Sequence, residues 1–136
     1  MIEFYKKVVF ENYANFSGRA RRSEYWYFTL ANVLIYFSIA FISGLFSAIN
    51  LPEVAYLFFG MFILYVVGII IPSLAVIVRR LHDTGKSGWF YFISLIPFIG
   101  SIWLLILFCT EGDKGHNEYG ADPKGNTAEI NEIGLE

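Results

Sequence analysis

Three stretches of this 136-residue chain contain no Asp, Glu, Lys or Arg: residues 25–52, 54–78 and 87–110. Charged residues make up only 16% of the whole, against roughly 25% in soluble domains. Each uncharged stretch exceeds the roughly 20 apolar residues that carry a helix across a bilayer. A buried soluble helix in so short a chain would show a polar face, and none of the three does, so a soluble bundle is excluded. Cysteine is nearly absent. Cys109 stands alone, so no intrachain disulfide forms and the redox compartment stays open. No charge lies inside the apolar runs, which argues against an ion or proton relay. The N-terminus lacks the apolar core and small-residue cleavage site of a signal peptide, since Lys6 and Lys7 lead into a charged, amphipathic stretch.

Apolar and aromatic residues are abundant instead, at 56% and 19%. Ile2, Tyr5, Val9, Tyr13 and Phe16 recur at helical spacing, which predicts an amphipathic helix over residues 2–16. Such a helix either lies in the membrane interface or packs on the protein's own loop. The hydrophobic runs predict three transmembrane helices, at 25–49, 54–78 and 89–109, in an all-α membrane protein. Tyr25, Trp26 and Tyr27 supply an aromatic anchor, and Gly44 with Ala48 a notch for close helix approach. Pro72 is expected to kink the second helix against the carbonyl of Gly68. Residues 1–123 read as one domain, and 124–136 as a disordered acidic tail.

Lys and Arg number five before the first span, none in the 50–53 turn, three in 79–88 and two in the tail. With three straight spans, the N-terminus is cytoplasmic and the C-terminus periplasmic. The alternative is a turn within the membrane at Ile96-Pro97-Phe98-Ile99-Gly100, which would return the tail to the cytoplasm. Exposed non-helical backbone is costly in lipid, so the straight span is preferred.

Both basic clusters then face the cytoplasm. Arg19, Arg21, Arg22 and Glu24 sit at one helix end, and Arg79, Arg80, His82, Asp83 and Lys86 at the other. Arginine's planar fork suits phosphate, and anionic headgroups attract such juxtamembrane cations. The bland reading is that these charges only set topology. Gly85 suits a left-handed helix C-cap and Ser87 the start of the next helix. Sharper chemistry finds no support. Gly85-Lys86-Ser87 lacks the strand and leading glycine of a P-loop. His82 and Asp83 lack a nucleophile, and His82, His116 and Cys109 lack zinc spacing. The sequence therefore gives no catalytic residue, metal, cofactor or nucleic-acid partner.

The segments Phe16-Ser17-Gly18-Arg19-Ala20-Arg21-Arg22-Ser23-Glu24-Tyr25-Trp26 and Arg79-Arg80-Leu81-His82-Asp83-Thr84-Gly85-Lys86-Ser87-Gly88-Trp89 come in order. They are followed by Gly112, Gly115, Asn117, Tyr119, Gly120, Asp122 and Pro123. Together they resemble the domain of unknown function 805 family, small bacterial inner-membrane proteins. The resemblance implies location and architecture and brings no reaction. The expected role is a non-enzymatic module whose Arg/His/Asp patch engages anionic lipid headgroups or a protein partner. The alternative is a small membrane enzyme or carrier for a phosphate-bearing lipid.

Overall fold

The computed structural model describes residues 1–123; the expected disordered tail, 124–136, lies outside them. Ile2–Lys6 is α-helical (α1) and continues as a π-helical turn over Lys7–Glu11. Two long helices follow, α2 at Arg22–Ala48 and α3 at Pro52–Asp83. A 3-10 helix at Gly88–Leu95 and α4 at Ile99–Cys109 complete the helical part.

α2 and α3 are long and apolar enough to cross a membrane. Their 27 and 32 residues extend about 40 and 48 Å at 1.5 Å per residue. The turn at 49–51 is too short for anything but an antiparallel pair. Asn50 relieves it by adopting φ 61°, a conformation asparagine tolerates better than most residues.

Pro72 leaves α3 unbroken. Its missing N–H frees the carbonyl of Gly68, four residues back, and a backbone carbonyl left unpaired away from water is costly. The Tyr13 hydroxyl donates to that carbonyl at 2.7 Å. Tyr13→Phe is therefore expected to lower stability by about 1–2 kcal/mol, read as unfolding in detergent, with no change in helix content.

The N-terminal helix is shorter than the expected 2–16 and packs on α2 and α3. Val8 is fully buried with Phe28, Ile69 and Val76. A polar relay fixes the depth of contact. Tyr65 donates to Asn32 Oδ1 at 2.6 Å, so the 2.8 Å Tyr5–Tyr65 contact has Tyr5 as donor, since each phenol owns one proton. Asn32 donates in turn to the Phe28 carbonyl.

The third apolar stretch corrects the sequence reading. No single helix covers 89–109. The chain runs through eight 3-10 residues, turns at Ile96-Pro97-Phe98 and returns through eleven α-helical residues. Gly100 abuts the Ile93 carbonyl, and the Phe90 and Trp103 rings meet at 5.5 Å, so the two limbs are antiparallel. Each limb is about 16 Å long, half of a ~30 Å hydrocarbon core. The cost that favoured a straight span is largely avoided by local bonding. The N–H groups of Ile96, Ile99 and Gly100 donate within the turn, and Pro97 has none to satisfy. Two features hold the reversal: Phe98 at φ 65° and Gly100, whose missing Cβ leaves room for the Ile93 carbonyl.

The hairpin brings residues 110–122 back to the end of the molecule that holds residues 19–24 and 79–83. The expectation that the tail lies opposite the N-terminal segment is thereby corrected. The Gly44–Ala48 notch also differs from expectation. A Cβ at Gly44 meets nothing within 4 Å; the site borders an open groove of about 630 Å³ between α2 and α3. Gly44→Leu is expected to leave thermal stability in detergent unchanged to within about 0.5 kcal/mol, as for substitutions away from packed features.

Candidate functional site

The two basic clusters meet because α2 begins where its antiparallel partner α3 ends. A helix C-terminus leaves carbonyls without intrahelical donors, and here the flanking segments supply them. Ala20 N–H donates to the Arg79 carbonyl at 2.9 Å, Gly85 N–H to His82, Lys86 N–H to Leu81 and Asp113 N–H to Asp83. Gly85 closes the helix at φ +76°, and Ser87 caps the 3-10 helix by accepting from Trp89 N–H. Both caps match the sequence reading.

Inside this frame lies a closed ionic knot. Asp83 binds two arginines, one per carboxylate oxygen: Arg19 Nε donates to Oδ1 at 3.0 Å and Arg80 Nη1 to Oδ2 at 2.5 Å. The arginine side chains are 1% and 0% exposed. Their remaining donors go to the backbone of the last segment. Arg19 reaches the carbonyls of Gly115 and Asp113; Arg80 reaches those of Phe108 and Thr110. Beside them Arg79 Nη1 donates to Glu24 Oε1 at 2.5 Å, and Lys7 Nζ lies 3.6 Å from Oε2. Burying such charges unpaired would cost several kcal/mol each. The pairing therefore fixes the register of four chain segments at once: the N-terminal helix, 19–24, 79–83 and 108–115.

His82 plays a different part. Its Nδ1 lies 2.9 Å from the Gly18 carbonyl, and a carbonyl only accepts, so Nδ1 carries a proton. The ring stacks on Tyr119 at 4.0 Å and 1°. Asn117 donates to the His82 carbonyl at 2.9 Å and accepts from Tyr119 N–H. His82 and Asp83 are sequence neighbours whose side chains bind different partners, so they form no acid–base pair. Arg21, Arg22 and Lys86 stand outside the knot: the first two are half-buried and Lys86 is exposed. Arg22 touches the Cys109 carbonyl, and the Lys86 ammonium lies 5.9 Å from the centre of the Phe90 ring. Among the described residues no three His, Cys, Asp or Glu side chains are placed to hold a metal ion.

Nine sequence-selected residues thus divide into five buried in the knot, one histidine wedge and three outward cations. Sequence reasoning left Lys7 and Asp113 out of the site, and it placed Gly112, Asn117 and Tyr119 only in the family motif of the tail, with no role at the knot. The one available signal was the glycine spacing of the tail. A Cβ at Gly112 would fall on the Asp83 carboxylate, so glycine there is a packing requirement.

The chain is 46% identical over 116 residues to inner membrane protein YhaI of Escherichia coli K12, covering 85% of this chain and 92% of that protein. It is 37% identical over 123 residues to inner membrane protein YhaH of the same organism, covering 90% and 98%. No solved structure matches it. The family described as "Protein of unknown function (DUF805)" matches residues 13–121, a span that runs from Tyr13, the donor to Gly68, and includes every residue of the knot except Lys7. The chain belongs to that family.

Proposed function

We propose that this protein is a non-enzymatic inner-membrane module. In this reading α2 and α3 cross the bilayer, the 88–109 hairpin enters and leaves on one side, and both the N-terminal segment and residues 110–123 are cytoplasmic. One observation carries it: all nine Lys and Arg residues of 1–123 lie on residues 6–22, 79–86 and 110–123, and none lies on the 49–53 turn. That asymmetry is the positive-inside signature. Arg19 and Arg80 are taken up by Asp83 and backbone carbonyls, and Arg79 is paired through Nη1 with Glu24 while its Nε and Nη2 are left without a partner among the described residues; the pairing supports a structural role for them. The outward cations Arg21, Arg22 and Lys86 remain to engage anionic headgroups, at about 1 kcal/mol each. The enzyme or carrier alternative is disfavoured because Asp83 has no free oxygen and His82 no acidic partner.

The test uses the full chain in nanodiscs of equal phosphatidylglycerol and phosphatidylethanolamine. Lipids that stay with the protein are expected to be enriched in phosphatidylglycerol, and Arg21→Gln with Lys86→Gln should reduce that enrichment. Indifference to headgroup in the wild type would reject lipid engagement and turn attention to a protein partner.

A further inference from the structure

An open cavity of about 420 Å³ lies between Phe16, α3 and the 3-10 helix, lined by Leu74, Ile77, Val78, Tyr91 and Phe92, with His82, Ser87 and Trp89 where α3 ends. Its volume is in the range of small-molecule sites. Three features set it apart from an ordinary lipid-facing groove.

First, its polarity is graded. Leu74 sits eight residues, about 12 Å, along α3 from His82, so the cavity is apolar at depth and polar where the helix ends. Second, its polar end is a prepared histidine. His82 is 9% exposed, and its ring is held by the Gly18 carbonyl and the Tyr119 ring. Nε2 has no hydrogen-bond partner among the described residues, so it is left to accept a hydroxyl proton or, on the imidazolium, to donate to an oxyanion. Third, the neighbouring groups are donors. Ser87 Oγ accepts from Trp89 N–H, which leaves its own proton unspent, and Lys86 is exposed beside it. No carboxylate lines the cavity, and both oxygens of adjacent Asp83 are engaged. Gly88 lets the hairpin come close enough to form the wall, since a Cβ there would stand 2.9 Å from Val78 Cγ1.

We infer that this cavity is a site for one anionic phospholipid, with an acyl chain along Leu74, Ile77 and Phe92 and its phosphate at His82 and Ser87, where the exposed Lys86 side chain, outside the lining and next in the chain to Ser87, swings from the Phe90 ring to meet it. The site rests on the membrane placement proposed above; beyond Lys86 it does not depend on the outward cations. Arg21 and Arg22 would gather headgroups collectively, whereas the cavity holds a single molecule.

The experiment is native mass spectrometry of the full chain released from nanodiscs of equal phosphatidylglycerol and phosphatidylethanolamine. The wild type is expected to keep one phospholipid, with phosphatidylglycerol favoured at least tenfold. Leu74→Trp, which fills the deep end without touching the knot, should reduce retention at least tenfold. Lys86→Gln alters only an exposed side chain, so folding is not at issue; it should keep one lipid and lose the headgroup preference. Arg21→Gln with Arg22→Gln should leave the single retained lipid in place, which separates this site from collective headgroup binding. Undiminished retention in a folded Leu74→Trp protein would overturn the inference. So would an unchanged preference in Lys86→Gln, or a wild type that keeps no stoichiometric lipid.

Discussion

Asp83→Asn is expected to lower stability by about 3–5 kcal/mol, the usual cost of breaking a buried charge pair by removing one partner. The reason is a count of lone pairs. Each carboxylate oxygen accepts from a different buried guanidinium, Arg19 on Oδ1 and Arg80 on Oδ2. Asparagine has the same shape and only one acceptor. However it turns, its amide N–H groups face an arginine that offers only donors. Arg80→Lys should cost less, about 2–3 kcal/mol, by losing charge-assisted bonds to the Phe108 and Thr110 carbonyls. The Arg80→Lys/Asp83→Asn pair should be non-additive by about 1–3 kcal/mol. Equilibrium unfolding in one detergent measures all three proteins. Near-zero, additive effects would leave these charges as topology determinants alone.

Gly112→Ala is expected to be nearly as damaging, at about 3 kcal/mol, the upper end of ordinary overpacking. The new methyl would occupy the position of the Asp83 carboxylate, so residues 110–115 must move. That motion threatens the Asp113 N–H bond to the Asp83 carbonyl and the two arginine contacts to Asp113 and Thr110. Gly115→Ala is the control. Its φ of +72° carries a left-handed strain of about 1–2 kcal/mol, and a Cβ there meets nothing within 4 Å. The two alanine variants should therefore differ, with only Gly112→Ala releasing the tail to limited proteolysis.

The parts of this fold that a sequence displays are those governed by local chemistry. The uncharged runs 25–52 and 54–78 announce two long helices, because a bilayer-length apolar stretch has few other uses. Gly85 and Ser87 announce their caps, since each acts within two or three residues. The convergence of Arg19 and Glu24 with Arg79, Arg80 and Asp83 followed from antiparallel spans. What stayed hidden depends on partners distant in the chain. The 87–110 run passes any hydropathy test for a full span, and only the joint effect of Pro97, Phe98 and Gly100 reverses it. The knot's outer shell is made of backbone carbonyls at 108, 110, 113 and 115, which every residue possesses and no side-chain pattern marks. Placing the tail at the other end followed directly from preferring the straight span to the turn at residues 96–100, and it left Asn117 and Tyr119 as motif residues without a role. Pro72 was recognised as a defect in the helix, but its remedy, Tyr13, lies 55 residues from the Gly68 carbonyl it satisfies.

The central claim is that the tail closes on the two arginine clusters, and membrane sidedness tests it most directly. In a Cys109→Ser background, single cysteines are placed by Glu53→Cys on the α2–α3 turn and by His116→Cys beside the knot, both at exposed positions. Spheroplasts are then treated with a membrane-impermeant maleimide. Cysteine 53 is expected to label in intact spheroplasts and cysteine 116 only after permeabilisation. Labelling of 116 from outside, with a Ser17→Cys probe still protected, would put the tail across the bilayer from Arg19 and contradict the closed knot.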